Sequence, residues 1–180
     1  LGAWALDEYK AYRQIPLAND KRKYSVVTVD NPNKDPETGR SRPKLEFFIM
    51  NSHCFGNVAA VYNYNRRPMA LNQVLLVLFR VVTDYYYDDR WAIEPMDTIR
   101  SSYDTVEEVM FMLGIRAQNE KAQGPPTVTV QEKDGSFKKI ETVSKDKPWK
   151  DLVFVVQFDL DTRKVKIKPG RRENLEAEIK

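Results

Sequence analysis

Cysteine and histidine are almost missing from this chain of 180 residues, which has one of each, Cys54 and His53. A lone cysteine makes no internal disulfide, so nothing points to an oxidising compartment and an intracellular setting is expected. A Cys/His zinc centre is excluded, and a serine-type or cysteine-type triad would have to draw on His53. Any metal would be held by oxygen, which selects Mg²⁺, Mn²⁺ or Ca²⁺. Long apolar runs are missing too. The longest, residues 74–82, is interrupted by Arg80 and falls short of the roughly 20 residues that cross a bilayer, so no membrane partner is expected. Charge of one sign is not in large excess, since the net charge is +3; this permits a nucleic-acid partner without requiring one.

What is present is ordinary for a folded protein: 42% hydrophobic and 31% charged residues, enough for one domain with or without a small appended one. The chain opens at Leu1 on an apolar stretch and closes on the helix-like "RRENLEAEIK", so it is expected to be a piece of a longer protein.

Residues 4–6 form a short strand candidate ending at Asp7, and residues 8–14 can turn helically before Pro16. Residues 24–30 ("YSVVTVD") and 45–50 ("LEFFIM") are predicted strands on either side of the proline-rich turn 31–43. The apolar spacing over residues 57–81 predicts a long helix, which Pro68 should kink or split. Residues 81–87 and 90–93 read as strands, placing Asp88 and Asp89 together in a hairpin turn. Residues 105–113 ("TVEEVMFML") predict a helix capped by Asp104 or Thr105 and closed by Gly114. Short strands are expected at 127–130 and 139–143. A final hairpin is expected from one strand over 152–160 and another over 164–168. This order suggests an α+β fold, an antiparallel-rich sheet with helices packed on one face.

Asp88 and Asp89 repel each other, and Asp7 stands at the tip of an early strand. Three carboxylates brought together are costly alone, because each disfavours ionisation of the others. Two divalent ions about 3.5–4 Å apart reverse that cost, an arrangement that serves nucleotidyl transfer.

The surrounding residues resemble those of reverse transcriptases. "LDEYKAYRQIPL" (6–17) is similar to the first conserved palm motif of that family, and "YYDD" (86–89) to its Tyr-x-Asp-Asp box. "CFGNVAAVYNYNR" (54–66) resembles the Pro-Phe-Gly motif that opens the long palm helix, especially in retroelements bearing a tyrosine recombinase. "LGIRAQNEK" (113–121) and "VVQFDL" (155–160) resemble the fourth and fifth palm motifs. Their order along nearly the whole chain, more than any single motif, carries the resemblance.

The resemblance implies a right-hand polymerase palm over residues 1–122 with a fingers-like hairpin at 24–50. A basic hairpin or linker at 123–151 would follow, then a primer-grip-like hairpin and the start of a thumb helix at 152–180. It implies that Asp7 and Asp88 bind two Mg²⁺ ions, with Mn²⁺ as the alternative, and that Asp89 supports them. Tyr12 would exclude a 2′-hydroxyl, Phe55 and Gly56 would floor the nucleotide site, and Lys121 would protonate pyrophosphate. The partners implied are an RNA or DNA template with its primer, a dNTP, and the remaining fingers and thumb of the same polyprotein. The chain departs from the family at Glu8, where an apolar residue is common, and at Ser52, His53 and Cys54, ahead of Phe55-Gly56.

Each residue also has a plainer role. Asp88 and Asp89 can be a solvated turn, Asp7 a helix N-cap, Tyr12 core, His53 and Cys54 packing, and Lys121 surface. The basic residues of 133–150 and 163–172 can line a duplex or form a solvated face. Two other functions fit the same elements: a non-catalytic RNA-binding module, and a decayed palm kept for structure.

Overall fold

Small side chains (Gly2, Ala3, Ala5) alternate with large ones (Trp4, Leu6) in residues 2–6, a pattern that lets one strand be buried on both faces. A computed structural model, which describes residues 1–31, 44–54, 58–132, 134–153 and 156–167, forms β1 there (Gly2–Asp7). Next come β2 (Val26–Asn31), β3 (Lys44–Ile49) and α1 (Val58–Val74), which runs on into a π-helical turn at Leu75–Phe79. They are followed by β4 (Asp84–Tyr86), β5 (Asp89–Glu94) and α2 (Ile99–Met112). The chain ends in β6 (Thr127–Gln131), β7 (Phe137–Glu141), β8 (Asp151–Val153), β9 (Val156–Asp159) and β10 (Lys164–Ile167).

The result is α+β, but where one sheet was expected from the strand order, the described residues form four small antiparallel ones: β1-β5-β4, β10-β9-β8, β2-β3 and β6-β7. Two compact units are formed, Leu1–Tyr9 with Arg67–Lys180, and Lys10–Arg66. In the first, helices do cover one face of β1-β5-β4. Trp4, Leu6 and Ala92 pack there with Leu71 and with Ile99, Tyr103, Val106 and Met110 of α2. The opposite face, made of Ala3, Ala5 and Trp91, packs against Leu152 and Phe158. The outer edge of β1 is paired as well, through Ala3 N–H to the Trp149 carbonyl (2.7 Å) and reciprocal bonds between Ala5 and Gln123 (2.9 and 3.0 Å). Gly124, at φ +105, permits this approach, because a Cβ there would lie 2.7 Å from the Ala3 carbonyl oxygen. In the second unit Tyr12 is buried with Ala11, Ala60 and Tyr64.

Several boundaries differ from expectation for local reasons. Residues 8–14 give only a 3₁₀ turn at Ala11–Gln14, so Asp7 ends a strand and caps no helix. α1 passes through Pro68 unbroken. The strand expected at 81–87 is only Asp84–Tyr86. α2 begins at Ile99 rather than at Thr105; Asp104 is a mid-helix residue, ion-paired with Arg100 one turn earlier at 2.8 Å. Its C-terminus closes as expected, with Gly114 at φ +69 and Ile115 N–H donating to the Met110 carbonyl at 2.8 Å. The stretch 152–160 is two antiparallel strands, β8 and β9, with Leu152 opposite Phe158. Residues 154 and 155 fall outside the described residues, as does the expected thumb helix after 167.

Candidate functional site

The register of β1 and β5 decides the geometry, because it sets Asp7 directly opposite Asp89. Directly opposed residues of an antiparallel pair project to the same face with Cβ atoms roughly 4.5–5.5 Å apart. Across the next ladder Tyr86 faces Asp89, so Tyr86, Asp89 and Asp7 form a row across three strands. The hairpin turn is Tyr87-Asp88, not Asp88-Asp89, and Asp89 is the first residue of β5. Tyr87 sits at φ +55, a left-handed conformation that glycine favours at the first central position of a tight hairpin. A tyrosine there stores of order 1 kcal/mol of backbone strain. Glu8 N–H donates to the Asp88 carbonyl at 2.9 Å, fastening the turn to the end of β1. The backbone therefore places Asp7, Asp88 and Asp89 at the same end of one sheet, with Asp7 and Asp89 directly paired.

Lys121 joins them. Its Nζ donates to Asp7 Oδ2 at 2.8 Å. This bond and the Asp7 charge hold the ammonium above the usual lysine range, and Asp88 and Asp89 add to the effect. The turn carrying it, Asn119–Lys121, is anchored from behind. Gln118 N–H donates to the Asp7 carbonyl at 2.7 Å, and Asn119 Nδ2 donates to Glu107 Oε1 at 2.7 Å. Burial raises the Glu107 carboxyl above its ordinary value, with the Asn119 bond opposing it. A cavity of about 640 Å³, lined by Tyr9, Glu107, Met110, Arg116, Asn119 and Phe137 among others, lies beside this turn, and none of the three aspartates lines it.

Other residues of the site gave no motif. Glu8 is only 3% exposed and forms an ion pair with Arg67 of α1, which accounts for a charge where an apolar residue was expected. Arg90, opposite Leu6, is fully buried; it donates to Asn72 Oδ1, to Thr83 Oγ1 at 2.9 Å and to the Pro68 carbonyl at 3.4 Å. Both charges lie in the alternating phase that Trp4, Leu6 and Ala92 make apolar. That mismatch was the available signal that each needs a buried partner, although it could not name which one.

Tyr12 belongs to the second unit, 5% exposed, with its ring 4.8 Å from that of Tyr64. His53 is buried in that unit, its backbone N–H donating to the Ile15 carbonyl at 3.2 Å. Phe55 and Gly56 lie outside the described residues. Tyr85 is half-buried on the phase of Arg90, whereas Tyr86 is exposed on the carboxylate phase.

Carboxylate oxygens are the donors that a hard divalent cation takes, and the Lys121 ammonium is already bonded to one of them. Among the described residues no group of three or more His, Cys, Asp or Glu is drawn close enough to form a ready ion-holding cluster. Among them also, no helix is long and apolar enough to cross a membrane. No protein-family model and no curated protein matches the chain.

Proposed function

We propose that this chain is the palm segment of a template-directed nucleotidyltransferase of the reverse-transcriptase kind, adding dNTPs to a primer on an RNA or DNA template. The observation that carries the reading is the direct pairing of Asp7 with Asp89, beside a strained turn that presents Asp88. Asp7, Asp88 and Asp89 would hold two Mg²⁺ or Mn²⁺ ions. When bound, such ions lower the pKa of the attacking hydroxyl and neutralise the leaving group.

In the reaction the primer 3′-hydroxyl gives up its proton to solvent, its oxygen forms a bond to the α-phosphorus, the bond from that phosphorus to the bridging oxygen breaks, and pyrophosphate leaves. The chain's own contribution is positioning and charge. The β1-β5 register fixes the spacing of Asp7 and Asp89, and the Glu8 bond to the Asp88 carbonyl fixes the turn. The ammonium of Lys121 stands within reach of this end of the sheet and can donate a proton to pyrophosphate. The roles of Tyr12 in rejecting a 2′-hydroxyl and of Phe55 and Gly56 in contacting the nucleotide rest on the family resemblance alone.

Primer extension tests the reading, in a protein that carries the chain together with the fingers and thumb it calls for. Asp88→Asn is expected to abolish Mg²⁺-dependent extension while leaving the fold intact by circular dichroism; normal extension by that variant removes the assignment. Tyr12→Ala is expected to raise ribonucleotide incorporation relative to deoxyribonucleotide, and an unchanged ratio leaves the ring a core residue.

A further inference from the structure

We propose that Lys121 is the resident counter-cation of the three aspartates, so that a divalent ion entering the cluster must displace its ammonium from Asp7. The inference rests on the metal-holding role proposed above. Lys121 makes the one bond to the Asp7 carboxylate described above, Nζ to Oδ2 at 2.8 Å. Its side chain is 60% exposed while that of Asp7 is 15% exposed. A solvent-exposed ion pair contributes little, so its ammonium exchanges readily.

The base of the residue is fixed. Lys121 N–H donates to the Gln118 carbonyl at 2.9 Å, Gln118 N–H to the Asp7 carbonyl at 2.7 Å, and Asn119 ties the turn to Glu107 and to the Thr129 carbonyl (3.1 Å). Only the tip of a long flexible stem is therefore free to swing, between Asp7 and the solvent in front of it. Asp89 is paired directly with Asp7 and Asp88 precedes it in the turn, so an ammonium bonded to Asp7 lies in the field of all three carboxylates. A dication attracts the cluster about twice as strongly as a monocation at equal distance, so it wins the exchange above a threshold concentration that Lys121 sets. Below that concentration the lysine offsets the repulsion between Asp7 and Asp89. Above it the ammonium is released toward the side from which a nucleotide's phosphates would approach.

The test is Mn²⁺ binding to the full 180-residue chain, read by electron paramagnetic resonance, for wild type, Lys121→Gln, Lys121→Met and Asp7→Asn. Lys121→Gln and Lys121→Met are expected to bind Mn²⁺ about three- to tenfold more tightly than wild type, and Asp7→Asn to lose the binding. In chelator both lysine variants should melt below wild type, and saturating Mn²⁺ should close the gap. Affinity in both lysine variants equal to or weaker than wild type, with binding still lost in Asp7→Asn, overturns the inference and leaves the metal-holding reading standing. No Mn²⁺ binding by wild type or either lysine variant overturns both.

Discussion

Two antiparallel pairs of six-residue strands, β1-β5 and β2-β3, differ almost completely in environment. In β1 the side chains of Ala3 to Leu6 are 0–3% exposed, whereas the apolar side chains of β2 and β3 are 40–69% exposed. Exposure in the hairpin alternates with neither face, since Val26 and Val27, or Phe47 and Phe48, are open together. β1 is packed on both faces and bonded along both edges, so the carboxylate at its end has little freedom. The β2-β3 hairpin is held by its ladder and its β-branched residues. A site that must fix acidic oxygens against their own repulsion belongs on the first kind of strand.

Truncation to alanine in both strand pairs gives the largest contrast. Trp4→Ala is expected to cost about 3–5 kcal/mol of unfolding free energy, whereas Phe47→Ala should change it by less than about 0.5 kcal/mol. Denaturant midpoints measure both, and similar losses would erase the comparison. Next in size is Arg67→Met, which leaves Glu8 buried without its cation and should cost about 2–4 kcal/mol. Adding Glu8→Gln should recover most of that loss, and a double variant no more stable than the single would show that the pair is incidental. Gly124→Ala should cost about 1–3 kcal/mol, from a positive φ and a contact too close for a Cβ; unchanged stability would mean that the edge of β1 gives way.

The smallest effect lies in the β10-β9-β8 sheet. Asp159 is held down to about 2, first by the Thr162 backbone N–H and side chain and then by Lys166. A carboxylate with a depressed folded-state pKa adds stability above its unfolded value, about 3.9, and that stability is lost as pH falls toward the folded value. The melting temperatures of wild type and Asp159→Asn should therefore differ at pH 6 and converge near pH 2. A gap that stays constant with pH would assign the effect to packing.

Much of this was legible in the sequence where a local rule and the tertiary outcome agree. Strand β1 ending at Asp7, the hairpin around the aspartates, the two paired strands β2 and β3 and the glycine closing α2 all follow from alternation and turn chemistry; the expected proline-rich turn between β2 and β3 lies outside the described residues. What escaped the sequence depends on distant partners. Asp89 moves from turn to strand because Asp7 and Tyr86 pair with it, and Tyr87 takes the left-handed position that a rule based on glycine would not assign. Glu8 is buried beside Arg67, which lies some sixty residues away in sequence but adjacent in the fold. The start of α2 was misplaced because Asp104 carries a capping residue's identity while serving as an i,i+4 ion-pair partner. Of the candidate site, alternation put Asp7 at a strand end, and the structure pairs it with Asp89 and with Lys121, whereas the Arg90 network with Asn72 and Thr83 has no sequence signature.

The most direct measurement is the anomalous scattering of Mn²⁺ in a crystal of this chain grown with the ion. Density among the carboxylate oxygens of Asp7, Asp88 and Asp89, with the Lys121 ammonium withdrawn from Asp7, is the expected result. Well-ordered crystals whose anomalous density lies elsewhere, or nowhere, while Lys121 still holds Asp7 would contradict it.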